Sequence, residues 1–136
     1  MERNQYIPVM IQSLKKKSEI LDTIMELNIR QSEELENPAL DPDDFDKTVE
    51  EKSKQIEKLD LLDDGFQELF DRVKDDLKNH QDIYRDEIAQ MQDYIRKLTS
   101  KSATIQVQEA RNKDLMTKNL HLYINRSEKS ARASVL

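Results

Sequence analysis

Asn37-Pro38-Ala39-Leu40-Asp41-Pro42-Asp43-Asp44 decides the fold, because it is the one clear break in an otherwise helical chain. Pro38 disfavours helical geometry at Asn37 and so ends whatever helix precedes it. Asp41 then reads as an N-cap, Pro42 as a first helical residue, and Asp43 and Asp44 as acids facing the positive end of a helix dipole. A link this short makes the two flanking helices antiparallel neighbours.

Working back from the break, Ile7, Ile11, Leu14, Ser18, Leu21, Met25, Asn28, Ser32 and Leu35 recur in steps of four and three. Met10, Ile20, Ile24 and Leu27 widen that stripe, which predicts an amphipathic first helix over about 3–36. Pro8 fits if it lies in the first turn. Working forward, a seam of threes and fours runs from Phe45 through Ile56, Leu62, Phe66, Val73, Leu77, Tyr84 and Met91 to Leu98. It predicts a long second helix over about 42–98, with a mild phase slip beside Gly65. Thr99-Ser100-Lys101-Ser102 is a weaker break, since Ser and Thr favour caps over helix interiors. A third helix is expected over about 103–129, followed by a frayed tail at 131–136, although a helix running unbroken past residue 100 also fits. The first helix can cover only half of the second, so the third segment is expected to cover Leu77 to Leu98.

Composition agrees with few, long helices. The 136 residues hold one Gly and three Pro, too little turn punctuation for a sheet protein of this size. With 37% charged and 36% hydrophobic residues, a thick core is out of reach, whereas thin helices zipped along narrow apolar seams are not. Regular apolar spacing argues against the disorder that high charge would otherwise imply. The expected fold is all-α: one domain over 1–130, an elongated antiparallel helical hairpin or bundle of about three helices with one long central helix.

Chemistry is mostly excluded. There is no Cys, which rules out disulfides and zinc–thiolate sites. One Gly cannot make a phosphate-binding loop. His80 and His121 lack the Glu-x-x-His spacing of di-iron bundles, with Leu77 and Lys118 three residues before them. An enzyme, a cofactor and a metal are therefore not expected. The acidic chain carries no nucleic-acid module, and Lys15-Lys16-Lys17 is too short a run for much phosphate affinity. No segment approaches the ~18 apolar residues of a membrane helix, and no signal peptide is evident, so the cytoplasm is the expected location. Net charge is −6 and uneven: nine basic and three acidic residues from Arg96 onward leave −12 on residues 1–95. A basic end of this kind suits an acidic partner or the chain's own acidic stem.

The third segment carries surplus apolar residues. Leu120, Tyr123 and Ile124 form one i, i+3, i+4 face, and Leu115 and Leu122 lie on another. Both faces can bury in the chain's own bundle, or one can receive a partner helix, with Arg111, Lys113, Lys118 and Arg126 nearby to steer an acidic one.

The run from Val49 to Leu77 resembles the second helix of the FlgN-type flagellar export chaperones, through Glu51-Lys52, the Ile56–Leu59 step and Leu62-Asp63-Asp64-Gly65-Phe66. Ile105-Gln106 and Glu109-Ala110-Arg111-Asn112-Lys113 are similar to that family's third helix, and the helix from Lys15-Lys16-Lys17 to Glu33-Glu34 matches in position and type. The resemblance spans most of residues 10–125. It implies a cytoplasmic type III export chaperone that holds the C-terminal helix of hook–filament junction (hook-associated) proteins, prevents their premature assembly and delivers them to the export apparatus. By position, the client-binding part maps to Ile105, Leu115, Met116, Leu120, Leu122, Tyr123 and Ile124, with Asn112 and Asn119 interrupting the apolar pattern there. Two other readings stay open: a structural coiled-coil tether or spacer, and a chaperone for the filament cap protein. So does a homodimer.

Overall fold

The computed structural model describes the backbone of residues 4–135 and the side chains of residues 4–120. Three helices and no strand make up the described chain: α1 (Tyr6–Glu36), α2 (Pro42–Asn79) and α3 (Arg85–Val135). The fold is an all-α bundle.

The first break forms as its residues require. Asn37 is extended, with φ −80° and ψ 120°, and its side chain accepts from Ala39 N at 2.9 Å. Asp41 Oδ1 accepts from Asp43 N at 3.0 Å, capping α2 ahead of Pro42. At the start of α1, Asn4 Oδ1 accepts from Tyr6 N at 2.9 Å. Pro8 is the third residue of that helix, where its missing N–H would have had no partner.

The second break is not at Thr99–Ser102. The chain turns at residues 80–84, so α2 ends at Asn79 and α3 runs straight through residues 99–102. Thr99 and Thr104 do not cap; their hydroxyls donate back to Ile95 O at 2.9 Å and Ser100 O at 3.2 Å, within the helix. What ends α2 is tertiary. Tyr84, 1% exposed, donates its hydroxyl to Asp76 Oδ2 at 3.0 Å and accepts from Asn4 N at 3.0 Å. Asn4 Nδ2 also donates to Asp76, and His80 Nδ1 lies 2.9 Å from the other Asp76 oxygen. Asn79, His80 and Asp82 are weak helix formers, which makes this the easiest place to bend. Asp86 and Glu87 then supply first-turn acids for α3.

The turn changes the cover of Leu77 to Leu98. Residues 85–98 belong to the start of α3 and pack on the first half of α1, so the longest helix is the third, at 51 residues. Contacts fix the directions. α1 meets α2 antiparallel, through Asn4–Asp76, Lys17–Asp63 and Gln31–Thr48. It meets α3 parallel, through Asn4–Tyr84, Lys101–Ser18 and Asn112–Asn28. α1 is thus the shared element. It brings Cα atoms within 8 Å of both neighbours, whereas α2 and α3 never approach each other so closely among the described residues.

Most of the expected α1 stripe is buried, with Ile11, Ile20, Met25 and Ser32 half-buried and Gln31, outside that stripe, buried as well. Ile7, Met10, Leu14, Ser18, Leu21, Ile24, Leu27, Asn28, Gln31 and Leu35 are all buried. The interior has two characters. Near the 80–84 turn it is apolar, with Ile7, Met10, Leu14 and Leu21 against Val73, Tyr84, Met91 and Leu98. Towards the 37–41 link it is polar. Asn112 Nδ2 donates to Asn28 O at 3.0 Å, Gln31 Nε2 to Thr48 Oγ1 at 3.2 Å, and Lys52 Nζ to Asn28 Oδ1 at 3.1 Å and Glu109 Oε1 at 2.8 Å. Ser32 donates its hydroxyl to Asn112 Oδ1. Asn112 breaks the apolar pattern because it bonds α1, not because the seam lapses.

Two predictions arise here. α2 passes through Gly65 unbroken, φ is not positive there, and an added Cβ would meet nothing within 4 Å. Gly65→Ala should therefore stabilise the protein by about 1 kcal/mol, read as a higher thermal midpoint. The hydrogen bond from Asn4 chiefly, with those from Tyr84 and His80, holds the Asp76 carboxyl below its ordinary value despite some desolvation. A carboxylate with a depressed folded pKa stabilises the fold above its unfolded pKa and loses that contribution as pH falls through the folded one. Acid titration followed by circular dichroism should show a loss of stability below about pH 4 that is shallower in Asp76→Asn.

Candidate functional site

At the link end of the bundle an open groove of about 800 Å³ lies between the 37–41 link, the start of α2 and the α3 stretch at 113–120. Its apolar lining is Leu35, Pro38, Leu40, Pro42, Phe45, Met116 and Leu120. The two prolines hold the link out of either helix, so Leu40 has no helix face to join and falls into the groove. On the α3 side, Asn119 Nδ2 donates to Leu35 O at 2.6 Å. That carbonyl lies in the last turn of α1, where intrahelical donors run out, so Asn119 completes a helix end from another helix. Arg111 Nη2 and Glu36 Oε1 add an ion pair at 2.6 Å. These contacts tie α3 to the end of α1. Met116 stays 50% and Leu120 59% exposed. Lys113 stands on one wall and Asp46 on the other, so the groove carries opposite charges on opposite sides.

The residues singled out from sequence divide. Met116 and Leu120 share the groove. Leu115 is half-buried, and Ile105 is half-buried against the core cluster rather than near Met116. The side chains of Leu122, Tyr123 and Ile124 lie outside the described residues. Leu40 and Phe45 were not anticipated as partners of Met116. The signal was there in Leu40, an apolar residue stranded in a link with no periodic seam to serve.

Among the described residues, no group of three or more His, Cys, Asp or Glu side chains is placed to hold a metal ion. No described helix is long and apolar enough to cross a membrane. No family model, curated protein or solved structure matches the chain.

Proposed function

We propose that the chain is a protein-binding chaperone of the flagellar type III export pathway, which seats the C-terminal helix of a hook-associated protein in the link-end groove and delivers that client from the cytoplasm to the export apparatus. The observation that carries this reading is the groove itself: about 800 Å³, apolar, open, and walled on its α3 side by the exposed Met116 and Leu120. A helix laid in such a groove buries an apolar stripe. Lys113 and Asp46 on opposite walls favour a client helix with an acid on its α3 side and a base on its α2 side. The resemblance to FlgN-type chaperones supplies the client class.

Titration calorimetry with a purified hook-associated protein tests the proposal. A one-to-one complex that disappears when the client lacks its C-terminal helix is the expected result, and no heat with the intact client would overturn it. The same titration with a filament cap protein separates the two chaperone readings. The 51-residue α3 favours a second reading, a tether or spacer that self-associates along that helix. A stable oligomer in sedimentation, with no client binding, would favour it.

A further inference from the structure

The separation of α2 from α3 has a shape. Three helices packed as a triangle bring all three backbones close, but here the α1 backbone lies within 8 Å of both neighbours, while those of α2 and α3 stay farther apart among the described residues and are linked by the Lys52–Glu109 ion pair. That is the layout of a four-helix bundle with one corner empty. The corner is a continuous cleft. Its two parts, about 380 and 500 Å³, share Phe66 and Ile95, and α1 forms its floor through Met10 and Leu14. Phe70 on one wall and Ile95 on the other remain 40% and 49% exposed. From Ile88 to Gln106 the cleft runs about 18 residues of helix, roughly 27 Å.

The lining is poor in charge for so charged a chain. Lys17 and Asp63 neutralise each other at 2.6 Å, and Lys78 at the end of α2 is the remaining lining charge. The rim is otherwise neutral: Gln81, Gln92, Thr99, Ser102 and Gln106. A second feature agrees. Residues 98–108 of α3 contain a single charge, Lys101, which turns inward to Asp22 and Ser18 at 2.7 Å each. In a protein with 37% charged residues, this wall is kept free of charge on its cleft side.

We propose that the α2–α3 cleft is a second docking site, separate from the link-end groove, and that it receives a five-turn amphipathic helix with uncharged flanks from another polypeptide. A neutral rim discriminates by leaving a charged flank desolvated and unpaired, while Gln, Ser and Thr flanks find partners. A second copy of this chain fits poorly. An isologous contact sets cleft against cleft and brings two copies of α2 to one interface, each with six acids and one base over residues 57–71. The cleft shares no lining residue with the link-end groove, so the two sites can be filled together.

A fluorescein-labelled peptide of about 20 residues, with Leu at heptad positions a and d and Gln, Ser and Ala elsewhere, is the probe. Its counterpart carries Glu and Lys in place of Gln and Ser. Fluorescence anisotropy with the full chain should show the neutral peptide binding about tenfold or more tighter than the charged one. Phe70→Glu, Ile95→Glu and Ala103→Glu should each weaken it about tenfold or more, while Leu120→Asp leaves it unchanged. Circular dichroism confirms that each variant folds, as their exposure allows. Equal affinity for the two peptides, no binding, or binding indifferent to the cleft variants would overturn the proposal. Self-association of the free protein that Ile95→Glu abolishes would assign the cleft to a second copy and overturn the occupant.

Discussion

Met10→Ala is expected to lower the unfolding free energy by about 2–5 kcal/mol, the largest single effect on stability among the variants considered. Met10 is 1% exposed and sits where α1 meets Val73 and Met91, in the apolar half of the interior. Removing its thioether arm takes away burial and leaves a void that the surrounding helices cannot close without shifting α1 against two partners at once. Domains of this size are typically stable by ~5–15 kcal/mol, so the variant should unfold at a much lower urea midpoint with an unchanged slope. Asn28→Ala, in the polar half, gives the contrast. Asn28 is fully buried, and its loss strips a partner from both Lys52 and Gln108. The expected cost is about 1–3 kcal/mol, set by unsatisfied polar groups rather than a cavity. A larger cost at Asn28 than at Met10 would contradict a bundle with an apolar end and a polar end.

Leu120→Asp is expected to weaken client binding by about 2 kcal/mol, or roughly thirtyfold, with no measurable change in the melting curve. The residue is more than half exposed in the free protein, so folding does not depend on it. An aspartate there would have to be desolvated under a bound helix, next to Met116, Leu40 and Phe45. Met116→Asp should behave alike. Ile56→Asp is the control: Ile56 is similarly exposed on α2 but lines neither groove. Calorimetry in which Ile56→Asp weakens the complex as much as Leu120→Asp would remove the link-end groove from the account.

How much of this was legible in the sequence follows from the range of the forces involved. The link at 37–44 was legible because Pro38, Asp41 and Pro42 act within a few residues, and the cap at Asp41 forms as its position dictates. The α1 stripe was legible because nine of its ten buried positions, all but Gln31, repeat in the apolar spacing of one helix. The turn at 80–84 was not, because what makes it is Asn4 reaching Tyr84 and Asp76 across more than 70 residues. Thr99–Ser102 misled for the converse reason. The Thr99 hydroxyl bonds Ile95 O on the preceding helical turn instead of capping, so a cap-like composition sits in mid-helix. Asn112 and Asn119 read as flaws in an apolar seam, and both turn out to donate to carbonyls of α1. Of the groove lining, Leu120 was singled out by surplus apolar character and Met116 only by the family resemblance, whereas Leu40 and Phe45 join them only through the folded link.

The parallel pairing of α1 with α3 has a consequence for how the chain comes off the ribosome. Among the described residues, the bonded pairs between those helices span 75 to 84 residues, as in Glu36 with Arg111 and Leu35 with Asn119. At about 5–20 residues added per second, a residue of α1 waits roughly 4 to 17 seconds for its mate to be synthesised. Until then only α2 shields α1, and the side of α1 that Ser18 and Asn28 turn to α3 has no cover in a half-finished hairpin. Completion rests on closing a long loop rather than a local one, which slows the last step of folding. The nascent protein that would guard other polypeptides is, for those seconds, itself in need of a guard.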